Sequence, residues 1–121
     1  MTRYFYVRGP APKGTTKKGE KLKGKPLACI ASTLDRETNT LSFGMAVCHP
    51  KDACSKQLFR TIALGRLQEN PVVLTEVKPE AKAITVKLME RLADVSFEVP
   101  WTKNHRVPGQ VKKAVERWLS E

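Results

Sequence analysis

Long apolar runs are missing from this sequence. Nowhere does it hold the roughly 20 consecutive apolar residues that a membrane-spanning helix needs. Its opening residues, MTRYFYVRG, lack the basic flank, apolar stretch and small-residue cleavage site of a secretory signal. Cysteine is scarce: Cys29, Cys48 and Cys54 are three residues, an odd number without framework spacing. That pattern argues against a disulfide-stapled scaffold and points to a reducing, intracellular setting. Together these absences predict a cytoplasmic protein with no membrane partner (host-cell cytoplasm if the chain is phage-encoded).

Catalytic signatures are missing too. There is no P-loop, no G-x-S-x-G elbow and no paired-carboxylate motif. Cys48 directly precedes His49, but successive strand residues point to opposite faces, so the imidazole is badly placed to activate the thiol. A zinc site takes about four thiolate or imidazole ligands, usually in close pairs. Cys48, His49, Cys54 and the distant His105 do not supply that spacing. The cysteines read instead as small buried thiols and His49 as a loop residue. No metal, no cofactor and no catalytic residue is expected. Catalysis stays open only through His49 and His105 meeting in space as an acid–base pair.

Negative charge is in short supply as well. Twenty-two Lys and Arg face twelve Asp and Glu, a net charge of +10. Such a field draws in polyanions and phosphate-bearing ligands and says nothing about fold. Six lysines (13, 17, 18, 21, 23 and 25) and one acid, Glu20, fall within GPAPKGTTKKGEKLKGK. With its Gly and Pro content, segment 9–26 reads as a basic, mobile loop. It is either a solvated arm or an arm that closes over a phosphate ligand.

At 121 residues the chain suits one domain, 1–121. Arg3–Val7 has the aromatic and β-branched content of a strand. Leu27–Leu34 and Leu41–Cys48 form a hairpin across the polar turn 35–39. In the second of these, Leu41, Phe43, Met45 and Val47 alternate with Ser42, Gly44, Ala46 and Cys48. Large side chains face one way and small ones the other, as when a sheet's second face is closely covered. Asp52 or Ser55 caps a helix that ends before Asn70-Pro71, with Cys54, Leu58, Ile62 and Gly65 on its buried stripe. A fourth strand follows over Pro71–Val77. Residues 80–93 place Ala81, Ile84, Leu88 and Leu92 at helical spacing, although Ile84-Thr85-Val86 also suits a strand. A short strand Val95–Val99 and a closing helix Gln110–Ser120 complete the series. The class is α+β: a mainly antiparallel sheet backed by two or three helices.

Two clusters suit an anionic ligand. At the start of the first helix, exposed N–H groups and the positive dipole end lie beside Lys51, with Lys56 and Arg60 four residues apart. In PWTKNHRVPG, Trp101 offers a stacking face, Asn104 and His105 offer hydrogen bonds to a base edge, and Lys103 and Arg106 offer phosphate contacts. Against these stand a core tryptophan followed by a basic turn, and a solvated helix face.

The block Gly44-x-Ala46-x-Cys48-x-Pro50-Lys51-Asp52, with Ser55-Lys56 and Arg60-x-Ile62-Ala63-x-Gly65-Arg66-Leu67, resembles one found in small bacteriophage accessory proteins. In size and element order the chain is also similar to the Thoeris anti-defence sponge family. That resemblance implies a homo-oligomer that sequesters a cyclic ADP-ribose-type signal without cleaving it, and it assigns no residue.

The reading that joins these features is a non-enzymatic binder of a small phosphorylated nucleotide. The alternative is a nucleic-acid-binding regulator or an inhibitor of an acidic host protein. Its support is the charge, since no helix-turn-helix, RRM-type block or zinc finger is present.

Overall fold

The computed structural model describes residues 2–10, 14, 19, 24–48, 55–94, 96–101 and 106–120. Strand β1 (Arg3–Arg8) pairs with β2 (Pro26–Asp35), β2 with β3 (Thr40–Val47), and β3 with the short β4 (Val72–Leu74). Every pairing is antiparallel, so the sheet order is β1-β2-β3-β4. Helix α1 (Lys56–Glu69) lies between β3 and β4 in the chain, and α2 (Ala81–Ala93) and α3 (Gly109–Ser120) follow. The fold is α+β.

The β2–β3 turn forms because Asp35 accepts the Glu37 N–H on its side chain and Asn39 adopts a left-handed φ of 52°. Asn is among the few non-glycine residues that tolerate that conformation. Most of the lysine-rich segment 9–26 lies outside the described residues. Its ends are tied together: the Gly9 N–H donates to the Lys25 carbonyl at 2.9 Å, and Arg8 donates to the Gly24 carbonyl at 3.0 Å. Pro26 already belongs to β2.

Strand alternation divides the core in two. One face carries Phe5, Val7, Ile30, Leu41, Phe43 and Met45, covered by α2 and α3 through Leu88, Leu92, Val111 and Val115. The other carries Cys29, Ala31 and Ala46, covered by α1 through Phe59, Ala63 and Leu67. Small side chains on that face let α1 approach the sheet closely. A methyl group added at Gly44 would collide with backbone atoms of Ala63, Arg66 and Leu67.

Several sequence expectations need correction. The buried stripe of α1 is Phe59, Ala63 and Leu67, whereas Leu58 is 56% and Ile62 37% exposed. Both sets repeat every four residues, and the close approach at Gly44 favours the stripe whose middle residue is alanine. Cys54, expected on the other stripe, lies outside the described residues. Residues 80–93 form a helix, with Ile84, Leu88 and Leu92 buried as their spacing implies but Ala81 exposed. Residues 96–99 are not a strand: Phe97 and Val99 are buried, yet no neighbouring strand pairs with them. β4 is shorter than the expected Pro71–Val77. Cys48 is disulfide-bonded, not a free thiol, and Cys29 is the free buried cysteine. An odd cysteine count does not tell whether two of its members pair, so it is no argument for a reducing compartment.

Candidate functional site

Among the described residues, strand β1 is an edge strand, with a neighbour on one side only. Its alternation sends Tyr4 and Tyr6 toward α1 and Phe5 and Val7 toward α2 and α3. Each side of this strand carries an arrangement suited to anions.

On the α1 side, Ser55 caps the helix by accepting the Leu58 N–H at 3.3 Å. The first turn holds no acidic residue and begins with Lys56. A cation at a helix start opposes the dipole, so helix electrostatics alone do not favour Lys56 there. Its contact is aromatic: the Lys56 ammonium lies 5.6 Å from the Tyr6 ring centroid. Arg60 donates Nε–H to the Tyr6 hydroxyl at 2.8 Å, with its guanidinium 5.3 Å from the Tyr4 centroid. The hydrogen bond to Tyr6 raises the Arg60 pKa above its ordinary value. Arg8 adds a third cation, 5.8 Å from the Tyr6 centroid. The outcome is an open face of two tyrosines and three cations. Arg66 plays a different part: near the C-terminal end of α1 it donates to the Met45 carbonyl at 2.6 Å, and partial burial lowers its pKa.

A cavity of about 440 Å³ opens between β1, α2 and α3, and Tyr6 and Arg8 belong to its lining as well as to the α1-side face. Its apolar wall includes Phe5, Met89, Val115 and Trp118. Trp118 is 42% exposed, so its indole is available to a ligand. Among the described residues, Arg8 and Arg117 are the charged side chains of the lining. Among the described residues that line it there is no carboxylate, imidazole or thiol, and Tyr6 and Thr85 contribute hydroxyls.

Among the residues singled out from sequence, Lys56 and Arg60 share the α1 face. Lys51, Lys103, Asn104 and His105 lie outside the described residues, as does His49. Trp101 packs edge-on against Phe43 at 6.1 Å between ring centroids, and its indole nitrogen is buried without a hydrogen-bond partner. That places Trp101 with the α2–α3 core, across the sheet from Lys56 and Arg60. Arg106 is exposed. Sequence reading missed Arg8, Arg117 and Trp118. A signal existed: Val111, Ala114 or Val115, and Trp118 follow one helical stripe, and the last of them projects past the covered sheet.

Among the described residues, no group of three or more His, Cys, Asp or Glu is placed to hold a metal ion. No described helix is long and apolar enough to cross a membrane. No protein-family model matches the chain, and no curated protein or solved structure matches it significantly.

Proposed function

We propose that the protein binds a small phosphorylated nucleotide in the cavity beside β1 and holds it without transforming it. One observation carries this reading: a 440 Å³ cavity with an exposed indole, whose charged side chains among the described residues are both arginines. Ligand pockets span roughly 300–1,000 Å³ and combine an apolar lining with a few convergent polar groups. Trp118 and Phe5 supply surfaces for a base, and Arg8 and Arg117 supply planar forks for phosphate oxygens. The outer edge of β1 adds main-chain groups that no described strand uses. The ligand is held intact on this reading, in keeping with the resemblance to cyclic-nucleotide sponge proteins. On this reading the protein is a homo-oligomer. The exposed Leu58 and Ile62 of α1, with Val73 on the same side of the sheet, are the apolar surface available to a second copy.

A second reading rests on the tyrosine–cation face. Tyr4, Tyr6, Arg8, Lys56 and Arg60 form an open surface of the kind that tracks a nucleic-acid strand or meets an acidic protein. Calorimetric titration against cyclic and linear adenine nucleotides, with phosphorus NMR of the recovered ligand, separates the two. Saturable binding with ligand returned unchanged supports the pocket. Binding confined to oligonucleotides, with a steep dependence on salt, supports the open face.

A further inference from the structure

A second, smaller cavity of about 100 Å³ lies at the Arg3 end of β1, beneath the start of α2. Ser32 lines it. This serine is 2% exposed, the buried polar side chain of a core that is otherwise apolar. Its hydroxyl belongs to the wall of the cavity. Leu34, Leu41 and Ile84 surround it with hydrocarbon. A hydroxyl that opens onto a small cavity finds its partner in a water or a ligand held there. The cavity has room for about three waters, or for one phosphoryl group, and it is too small for a nucleoside.

Two arginines decide between water and anion. Arg3 stands opposite Ser32 in the β1–β2 register, so both project on the same face, and Arg36 enters from the hairpin turn. Both line the cavity, and neither forms an ion pair with a described carboxylate. Beside them begins α2, whose N-cap, Glu80, makes no side-chain capping bond. The positive end of that 13-residue helix thus lacks a side-chain cap next to the cavity. A neutral ligand would leave this convergence of positive groups unused.

We propose that this cavity binds a phosphoryl oxyanion, either inorganic phosphate or the terminal phosphate of a longer molecule. The Ser32 hydroxyl donates to one oxygen, and the Arg3 and Arg36 guanidinium groups take the others from the solvent side. The site shares no residue with the nucleotide cavity of Arg8, Arg117 and Trp118, so either can fail without the other.

Inorganic phosphate titrated against chloride at constant ionic strength tests it, read by amide and arginine Nε–H chemical shifts and by Tm. Phosphate is expected to shift the Ser32 amide and the Arg3 and Arg36 Nε–H signals saturably and to raise Tm, whereas chloride does neither. Arg3→Gln and Arg36→Gln should each weaken the response about tenfold or more, and Lys113→Gln, an exposed cation away from both cavities, should leave it intact. Ser32→Ala removes the hydroxyl, so its phosphate response should be lost. Parallel titration with glycerol phosphate distinguishes the sources: equal affinity means free phosphate suffices, and tighter binding means a longer ligand. Equal shifts in chloride, or a full phosphate response in Ser32→Ala or in Arg3→Gln/Arg36→Gln, would overturn the proposal and leave the hydroxyl to water.

Discussion

The Arg117 guanidinium donates to the main-chain carbonyl of Arg8 at 3.4 Å, joining the last helix to the first strand beside the larger cavity. These residues are 109 positions apart in the chain. The cavity is therefore built by long-range docking, with α3 closing over an edge strand that would otherwise end in solvent. Arg117 is exposed, so Arg117→Gln should change stability by no more than about 0.5 kcal/mol. It should nevertheless weaken phosphorylated ligands more than their nucleosides. Paired urea melts and titrations with adenosine and an adenine nucleotide check both statements.

Helix α1 offers a sharper stability test, because two stripes four residues apart compete along it. Phe59→Ala should cost about 3–5 kcal/mol and Leu67→Ala about 2–5 kcal/mol, as for other large-to-small core changes. Leu58→Ala, on an exposed residue, should stay within about 0.5 kcal/mol. Gly44→Ala should cost about 1–3 kcal/mol, since its methyl group meets α1 backbone that cannot step aside. Urea denaturation of the four variants reads the order directly. A Leu58→Ala penalty equal to that of Phe59→Ala would mean that α1 is rotated on the sheet.

That competition also shows where the sequence stops being informative. The β2–β3 hairpin was legible because polar turn residues separate two runs of opposite parity. The cap was legible as Asp52 or Ser55, because each precedes a helical pattern broken by Asn70-Pro71, and the structure selects Ser55. The alternation of large and small residues in β3 announced a sheet covered on both faces. Nothing local, however, distinguishes Leu58–Ile62 from Phe59–Ala63–Leu67. The choice depends on Gly44, contributed by another element. Val95–Val99 reads as a strand by composition, yet a strand needs a partner, and burial of Phe97 and Val99 does not provide one. Trp101 shows the same limit: basic neighbours made it look like a stacking residue, and its neighbour in space is Phe43. The cavity was the least legible feature, because Arg8 and Arg117 come from opposite ends of the chain.

The tyrosine–cation face has its own test. If a nucleic acid lies there, Arg60→Gln should weaken binding for all sequences alike and reduce the slope of log K against log salt by about one. Tyr6→Phe keeps the ring and removes the acceptor of Arg60, so it should disturb binding less than Tyr6→Ala does. Fluorescence anisotropy with a labelled oligonucleotide across a salt series measures both. A flat slope in the parent protein excludes this face as a nucleic-acid site.

Cysteine chemistry checks the small-residue side of the sheet. Burial pushes the Cys29 thiol up, outweighing the opposing pull of Tyr6 and Arg60. Cys29 should therefore resist alkylation in the folded protein and react once the chain is denatured without reductant. Cys48, being disulfide-bonded, should react only after reduction, as peptide mapping would show. The pH dependence follows from the direction of the shift. With its folded pKa raised, Cys29 favours the native state fully below the ordinary thiol value of about 8.5. Above it the unfolded thiol ionises first, and this contribution to stability is lost as pH rises through the folded pKa.

The most direct measurement is calorimetric titration of the parent protein and of Trp118→Ala with a panel of cyclic and linear adenine nucleotides. Trp118 is substantially exposed, so its removal should leave the fold intact, which circular dichroism can verify. A stacked base contributes on the order of 1–3 kcal/mol. The account therefore predicts saturable binding of at least one nucleotide by the parent protein and affinity weaker by about 10- to 100-fold in Trp118→Ala. Absence of binding to every nucleotide in the panel, or equal affinity in the two proteins, would contradict a nucleotide seated between β1 and α3.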